Sequence, residues 1–322
     1  MKKYFILLCV FSGIYLFAQP HPSFTGTGTV GDPYQIWNIY DLIEFGDSVN
    51  NQFFPNYSYW HIDKHFILMQ DITEPITQSI CASFMGHFHG NGKKINSAIN
   101  FNHPNNQSPA IFNGLSLNGT IDGLIVDGYV NSDIVAMSTI SSFINTNSAS
   151  ITNCINNATI TGGAAGGITY SNSGIISNCI NNGDITGVNI VGGIAGQNDG
   201  TIINCINTGN ITATASGDNN IFSGVGGIVG TVANHCQNIL NCVNIGSVVG
   251  QGFVGGIVGL ANGHPMAVTP ITNCINYGYV RGINGVGGIL GYMYSQYVNI
   301  SNSVNVGVVE GEEDTGSIVG KE

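Results

Sequence analysis

A chain that repeats one short phrase every twenty to forty residues must fold by stacking the units that the phrase encodes. The phrase here reads Ile176-Ser-Asn-Cys-Ile-Asn-Asn-Gly183, Ile202-Ile-Asn-Cys-Ile-Asn-Thr-Gly209 and Ile271-Thr-Asn-Cys-Ile-Asn-Tyr-Gly278. Further copies begin at Ile121, Ile151, Ile239 and Ile300, so isoleucine opens all seven. The fourth position runs Leu124, Cys154, Cys179, Cys205, Cys242, Cys274 and Ser303. A second phrase follows the last six copies, as in Val191-Gly-Gly-Ile-Ala-Gly196 and Val225-Gly-Gly-Ile-Val-Gly230. From the fourth position to this phrase the distance is 12 residues at Cys179, Cys242, Cys274 and Ser303, but 20 at Cys205. A constant spacing broken by one insertion describes a fixed unit carrying a loop.

Helical repeats are excluded by several glycines per unit and by the lack of a 3.6-residue apolar stripe. Leucine-rich repeats are excluded because leucine is scarce. Glycine is abundant, 46 of 322 residues, yet shows no Gly-X-Y period, which excludes collagen. With 43% hydrophobic and 8% charged residues, the chain does not have the composition of a disordered one. What remains is three short β-branched runs per unit, separated by Asn- and Gly-rich turns. The fold class expected is all-β, a parallel β-solenoid of the right-handed β-helix type with three short strands per coil. An N-terminal cap containing one short helix completes it.

Stacking explains the residue types. Ile121, Ile151, Ile176, Ile202, Ile239, Ile271 and Ile300 should form one apolar column. Asn153, Asn178, Asn204, Asn241, Asn273 and Asn302 should form a polar column whose amides bond along the stack. Cys154, Cys179, Cys205, Cys242 and Cys274 read as a third column of small buried residues rather than a disulfide framework. Strict alternation would turn Cys179 away from Ile176, whereas a bend before it would turn it inward; its small apolar character favours the bend. Paired glycines in the second phrase permit close backbone approach or a positive φ.

Residues 1–19 have the composition of a secretory signal peptide: Lys2 and Lys3, then the largely apolar stretch 4–17, then Ala18, with cleavage expected near Ala18 or Gln19. The protein is therefore expected to be secreted or held at a bacterial cell surface. Residues 24–110 read as the cap and first coils, and 111–322 as the repeats. Asn38 can cap a helix over residues 39–49 with Ile39, Leu42, Ile43, Gly46 and Val49 on one face. At the other end, Glu310, Glu312, Glu313 and Asp314 either blunt an open edge or flank a surface for end-to-end self-association.

These phrases resemble the GLUG-motif repeat proteins of bacterial surfaces, through Gly193-Ile-Ala-Gly196 and Gly227-Ile-Val-Gly230. The opening Gly26-Thr-Gly-Thr-Val-Gly-Asp-Pro-Tyr-Gln-Ile36, the strand His65-Phe-Ile-Leu-Met-Gln-Asp-Ile72 and the segment Phe84-Met-Gly-His-Phe-His-Gly-Asn-Gly-Lys-Lys-Ile95 resemble theirs too. His89 stands where those proteins usually carry Asp. The resemblance implies architecture and an adhesin-like or accessory role, and it implies no catalytic residue.

Function is less constrained. A formal charge of −11, more negative still without Lys2 and Lys3, excludes a basic nucleic-acid-binding face. No transmembrane segment is expected. His61 and His65 lie four apart, but Asp63 is not the Glu of His-Glu-x-x-His, so a zinc peptidase is rejected. His87 and His89 share one face of a strand and are the candidates for a metal, with His65 or His103 as a partner; no metal or cofactor is otherwise expected. The repeats hold few acids, Asp122, Asp127, Asp133, Asp184, Asp199 and Asp218, and Arg281 is the one strong base between Lys94 and Lys321. No catalytic residue is assigned on that ground. The column Thr161, Thr186, Thr212, Val249, Arg281, Glu310 breaks too soon for an ice-binding array. Loops after the second phrase vary and should project from one edge, carrying His235, His264, Tyr292, Tyr294 and Tyr297 as a ligand-binding ridge. The function expected is a non-catalytic adhesion or ligand-binding scaffold whose partner is a glycan or an extracellular matrix protein. The alternatives are a β-helix enzyme acting on polysaccharide, or an accessory fragment of a larger secreted protein.

Overall fold

The computed structural model describes residues 24–50, 60–101, 109–116, 118–132, 139–141, 144–214, 223–232, 237–265 and 268–322. Residues 1–23, which include the expected signal peptide, and His103, Asp133, Asp218 and His235 lie outside them. No described helix is long and apolar enough to cross a membrane.

The chain winds through four hydrogen-bonded sheets of 10, 15, 7 and 8 strands, and every strand pairing within them is parallel. The coil from Ile175 shows the order. Ile175–Ser177 lies in the first sheet, here the isoleucine sheet. Ile180–Asn181 and Ile185–Gly187 lie in the second, the asparagine sheet. Val191–Gly192 lies in the third and Ala195–Asn198 in the fourth. The three β-branched runs expected from sequence are all present. Two of them are each divided by a bend, so a coil holds five short strands. The isoleucine column stands in register from Ile121 to Ile300. The Thr161–Thr186–Thr212–Val249–Arg281–Glu310 row is in register as well.

The bend in the first phrase falls on its asparagine. Asn153, Asn178, Asn204, Asn241, Asn273 and Asn302 all have φ between 50° and 56°, the left-handed region that asparagine tolerates better than most residues. This turn reverses the alternation, so Ile176 and Cys179 both point inward and are fully buried while Asn178 is exposed. Cys179 Sγ lies 3.3 Å from the Ser177 carbonyl and 3.7 Å from that of Ile151, and the other column cysteines repeat the arrangement. Ser303 Oγ takes over this contact where cysteine gives way to serine. The thiols are free, and burial pushes those of Cys154 and Cys205 well above their ordinary range.

A second asparagine column runs inside the stack. Asn156, Asn181, Asn207, Asn244 and Asn276 each donate Nδ2 to the Oδ1 of the next, at 2.6 to 2.8 Å, and the ladder ends on Asn305. The glycine pairs of the second phrase pack against it. A Cβ on Gly193 would lie 2.1 Å from the Gly227 carbonyl and 2.6 Å from Asn207 Cγ. Close approach, rather than a positive φ, is therefore what these glycines supply. The apolar interior is two clusters. Val191 belongs to one, with Ile185 and Ile211, and Ile194 to the other, with Ile202 and Cys205. Gly192-Gly193 and the ladder mark the boundary between them.

At the N-terminal end the helix spans Ile39–Asn50. Asn38 Oδ1 accepts from the backbone N–H of Tyr40 and Asp41, and Asp41 Oδ2 accepts from that of Trp37, a reciprocal cap. Its buried face is Leu42, Phe45, Gly46 and Val49. Ile43, expected on that face, is exposed, and Phe45 replaces it because the helix rests on Phe66, Phe84 and Phe88 with ring centroids 4.8 to 5.5 Å from Phe45. At the opposite end Val304, Val306 and Val308 are exposed on the last coil.

Candidate functional site

Two side-chain groups stand out from the regular surface. The first lies at the corner where the fourth sheet passes to the isoleucine sheet. The strands Val229–Val232, Val258–Ala261 and Leu290–Met293 stack there, and the segments that follow them leave from the same corner. This is the edge expected to carry the loop ridge. Tyr292, Tyr294 and Tyr297 are at this corner, and Tyr294 is 47% exposed. Tyr292 and Tyr294 meet edge to face at 5.8 Å. His264 lies one coil below, partly buried.

Sequence reasoning missed the residue that enlarges this group. Phe253 stacks on Tyr292 with centroids 4.6 Å apart and planes inclined by 27°. Its backbone sits at φ 50°, and the equivalent residues of the next two coils, Gly285 and Asp314, share the left-handed conformation at 63° and 46°. A bulky aromatic at positive φ is a true outlier. The ring occupies the space that Gly285 leaves open, since a Cβ there would come within 2.9 Å of Phe253 Cδ1. Lys321 Nζ stands 6.0 Å from the Tyr292 ring centre and 2.8 Å from Asp314 Oδ2. The corner thus joins three aromatic rings to an ion pair. The one available signal in sequence was a large aromatic inside an otherwise small-residue phrase, Gly252-Phe-Val-Gly255.

The second group lies near the cap, on the outer face of the isoleucine sheet. His65–Leu68 and His87–His89 pair with His65 opposite His87, and the next strand places Thr120 opposite His87 and Asp122 opposite His89. Alternation turns Phe66 and Phe88 inward and the histidines outward. The His65 and His87 rings stack at 4.3 Å and those of His65 and His89 at 5.2 Å. His65 Nδ1 is 2.9 Å from His89 Nε2, His89 Nδ1 is 2.7 Å from Asp122 Oδ1, and His87 Nδ1 is 3.0 Å from Thr120 Oγ1. The structure thus brings His65 to the His87 and His89 pair. His61 is separate: it is buried and stacks on Phe84 at 5.7 Å. Among the described residues no three His, Cys, Asp or Glu side chains are arranged around one point as ligands of a metal ion.

Two of the repeat acids, Asp127 and Asp184, tie neighbouring coils together. Asp127 accepts from Lys94 Nζ at 3.0 Å and Asn157 Nδ2 at 2.7 Å, and Asp184 accepts from the backbone N–H of Asn210 at 2.7 Å.

No protein-family model matches the chain, and no curated protein does. Among solved structures it is similar to a crystal structure titled "putative immunoglobulin A1 protease" from Bacteroides ovatus. The TM-score is 0.58 at 20% identity, over 91% of this chain and 84% of that one. At that identity the likeness is one of fold.

Proposed function

We propose that this chain is a secreted or surface-held repeat scaffold of the GLUG-motif type, working by adhesion, with the aromatic corner as its contact surface and an extracellular glycan as its ligand. The observation that carries this reading is Phe253. A left-handed backbone costs a side-chain-bearing residue about 1–2 kcal/mol, and glycine serves at the same place one coil on. Keeping phenylalanine there adds a third ring to the group made by Tyr292 and Tyr294. Flat aromatic faces bind the C–H surface of sugar rings, and Asp314 and Lys321 at the rim offer hydrogen-bond partners to hydroxyls. The proteolytic label of the Bacteroides structure belongs to that protein, and at this level of identity it does not extend to an activity here.

The test is a glycan array, with a panel of matrix proteins beside it, probed with the chain from residue 20 onward. Phe253→Gly should leave the fold and its stability intact, because Gly285 shows that the backbone accepts glycine. Binding should fall at least tenfold, as it should for Tyr292→Ala combined with Tyr294→Ala. Retained binding in both variants would remove the corner from the account, and binding confined to the protein panel would remove the glycan.

A further inference from the structure

We propose that two copies of this chain pair side by side through an apolar face on the outside of the asparagine sheet, about a two-fold axis that runs along the stack. One position of the repeat points to it, the residue after each buried ladder asparagine. In the earlier coils this residue is polar and already bonded: Asn182 Nδ2 donates to Asn157 Oδ1 at 2.8 Å, and Thr208 Oγ1 donates to Asn182 Oδ1 at 2.8 Å. In the next three coils the same position holds Ile245, Tyr277 and Val306, which are 52%, 53% and 61% exposed. The backbone ladder runs through polar and apolar members alike, from Thr208 N–H to the Asn181 carbonyl and from Tyr277 N–H to that of Asn244. The stack therefore accepts a polar residue here, and it does not bury the apolar ones that replace it.

The columns on either side follow the same course. On one flank Ile206, Val243, Ile275 and Val304 stand in register, half-buried as far as Ile275 and exposed at Val304. On the other, the bonded polar row Asp184, Asn210 and Ser247 gives way to Tyr279 and then to exposed Val308. Exposed apolar residues are ordinary singly, but a contiguous group of them marks a contact surface. The occupant follows from charge and symmetry. From Thr208 onward none of the three columns carries a charged side chain, in a chain whose formal charge is −11. Two copies can therefore meet here without apposing like charges or desolvating an ion. The apolar group is symmetric about its middle column, as an isologous contact requires. An axis along the stack sets Tyr277 against its own counterpart and Val304 against the partner's Val308. It also sets the exposed amides of Asn273 and Asn302 toward the partner's Arg281 and Glu310, giving an apolar centre a polar rim. Four rungs by three columns make that centre roughly 300 Å2, against about 800 Å2 per partner in a standard interface, so the pairing is weak and reversible. The face lies on a different sheet from the aromatic corner, and the inference stands or falls apart from that corner.

The experiment is sedimentation velocity of the untagged chain from residue 20 onward, at concentrations from about 5 µM to about 1 mM, the range in which weak interfaces associate. A reversible monomer–dimer equilibrium is expected. Ile245→Thr, Tyr277→Thr and Val306→Thr together should weaken it at least tenfold with circular dichroism unchanged, because Thr208 shows that the position accepts threonine. Ile175→Thr, which removes an exposed isoleucine from the isoleucine sheet, should leave the equilibrium as it is. Val304→Lys should weaken pairing, and adding Val308→Glu should restore it, because the axis sets these two positions against each other across the contact. A wild type that stays monomeric throughout, or pairing that survives the triple variant, would overturn the proposal. Assembly beyond the dimer, or no rescue by the second charge, would overturn the two-fold axis.

Discussion

Asn207 illustrates how much one polar side chain can carry inside a stack. It is fully buried, accepts from Asn181, and donates to Asn244 Oδ1 and to the Gly209 carbonyl. Truncation leaves the Asn181 amide and the Asn244 carbonyl oxygen each short of a partner, and an unmet buried group costs about 1–3 kcal/mol. Asn207→Ala should therefore lower unfolding free energy by about 2–4 kcal/mol in urea titration, while Asn204→Ala, on the exposed ladder, should lower it by less than about 1 kcal/mol. An equal effect at the two positions would show that burial is not what gives the inner ladder its weight. The column cysteines make a related case. Fully buried, they should resist maleimide in the native state and react on denaturation, as peptide mass spectrometry of Cys154, Cys179, Cys205, Cys242 and Cys274 would record. Rapid native labelling of any of the five would contradict the packing.

Each coil turns on the left-handed asparagine and on the glycine pair. Phrase regularity made both visible in sequence, and the bend before Cys179 followed from the need to keep a small apolar residue dry. The division of labour between the two asparagines was less legible. Asn178 and Asn181 are equally regular in the phrase, yet the turn at Asn178 exposes it and places Asn181 inside. Which asparagine faces the core depends on a dihedral that no spacing reveals. The glycine pair likewise takes its reason from the neighbouring coil. Gly193→Ala sets a methyl against the Gly227 carbonyl and the Asn207 amide, neither of which can swing aside. Overpacking of this kind typically costs about 1–3 kcal/mol, and the backbone contact puts Gly193→Ala at the upper end or beyond. Gly92→Ala serves as the control for added bulk, since no atom lies within 4 Å of its Cβ and only its positive φ, 67°, opposes the change. Thermal unfolding of the pair should place Gly193→Ala well below Gly92→Ala.

On the scale of the whole molecule, the helix and phenylalanine cap differs from the stack it covers. Both tryptophans, Trp37 and Trp60, lie in the cap, so fluorescence reports on that end alone, whereas far-UV circular dichroism reports on the coils. Burial lowers the pKa of His61 to about 4, against an ordinary 6.5. The folded cap thus binds this proton less readily than the unfolded chain does. Its contribution is complete above pH 6.5 and is lost as pH falls toward 4, a change of about 3 kcal/mol at most. Coils interact chiefly with their nearest neighbours, so the loss should be local. Urea midpoints by tryptophan fluorescence should fall between pH 6.5 and 4.5 more than those by circular dichroism, and His61→Phe should abolish the difference. Parallel shifts in both signals, unaffected by His61→Phe, would place the acid sensitivity elsewhere.

The repeat by itself determined the parallel stack, the in-register isoleucine and cysteine columns and the edge from which the variable loops leave. Periodic identity forces each residue onto its own counterpart, one rung away, and apolar columns are the form in which such rungs can be buried. Tertiary structure alone decided the inner asparagine ladder, the exposure of Ile43, the placement of Phe253 over Gly285 and the convergence of His65 with His87 and His89. These rest on side chains from different coils, or from the cap, meeting across the rungs. Which of them touch is set by local turn angles and ring orientations that exist only once the coils have closed.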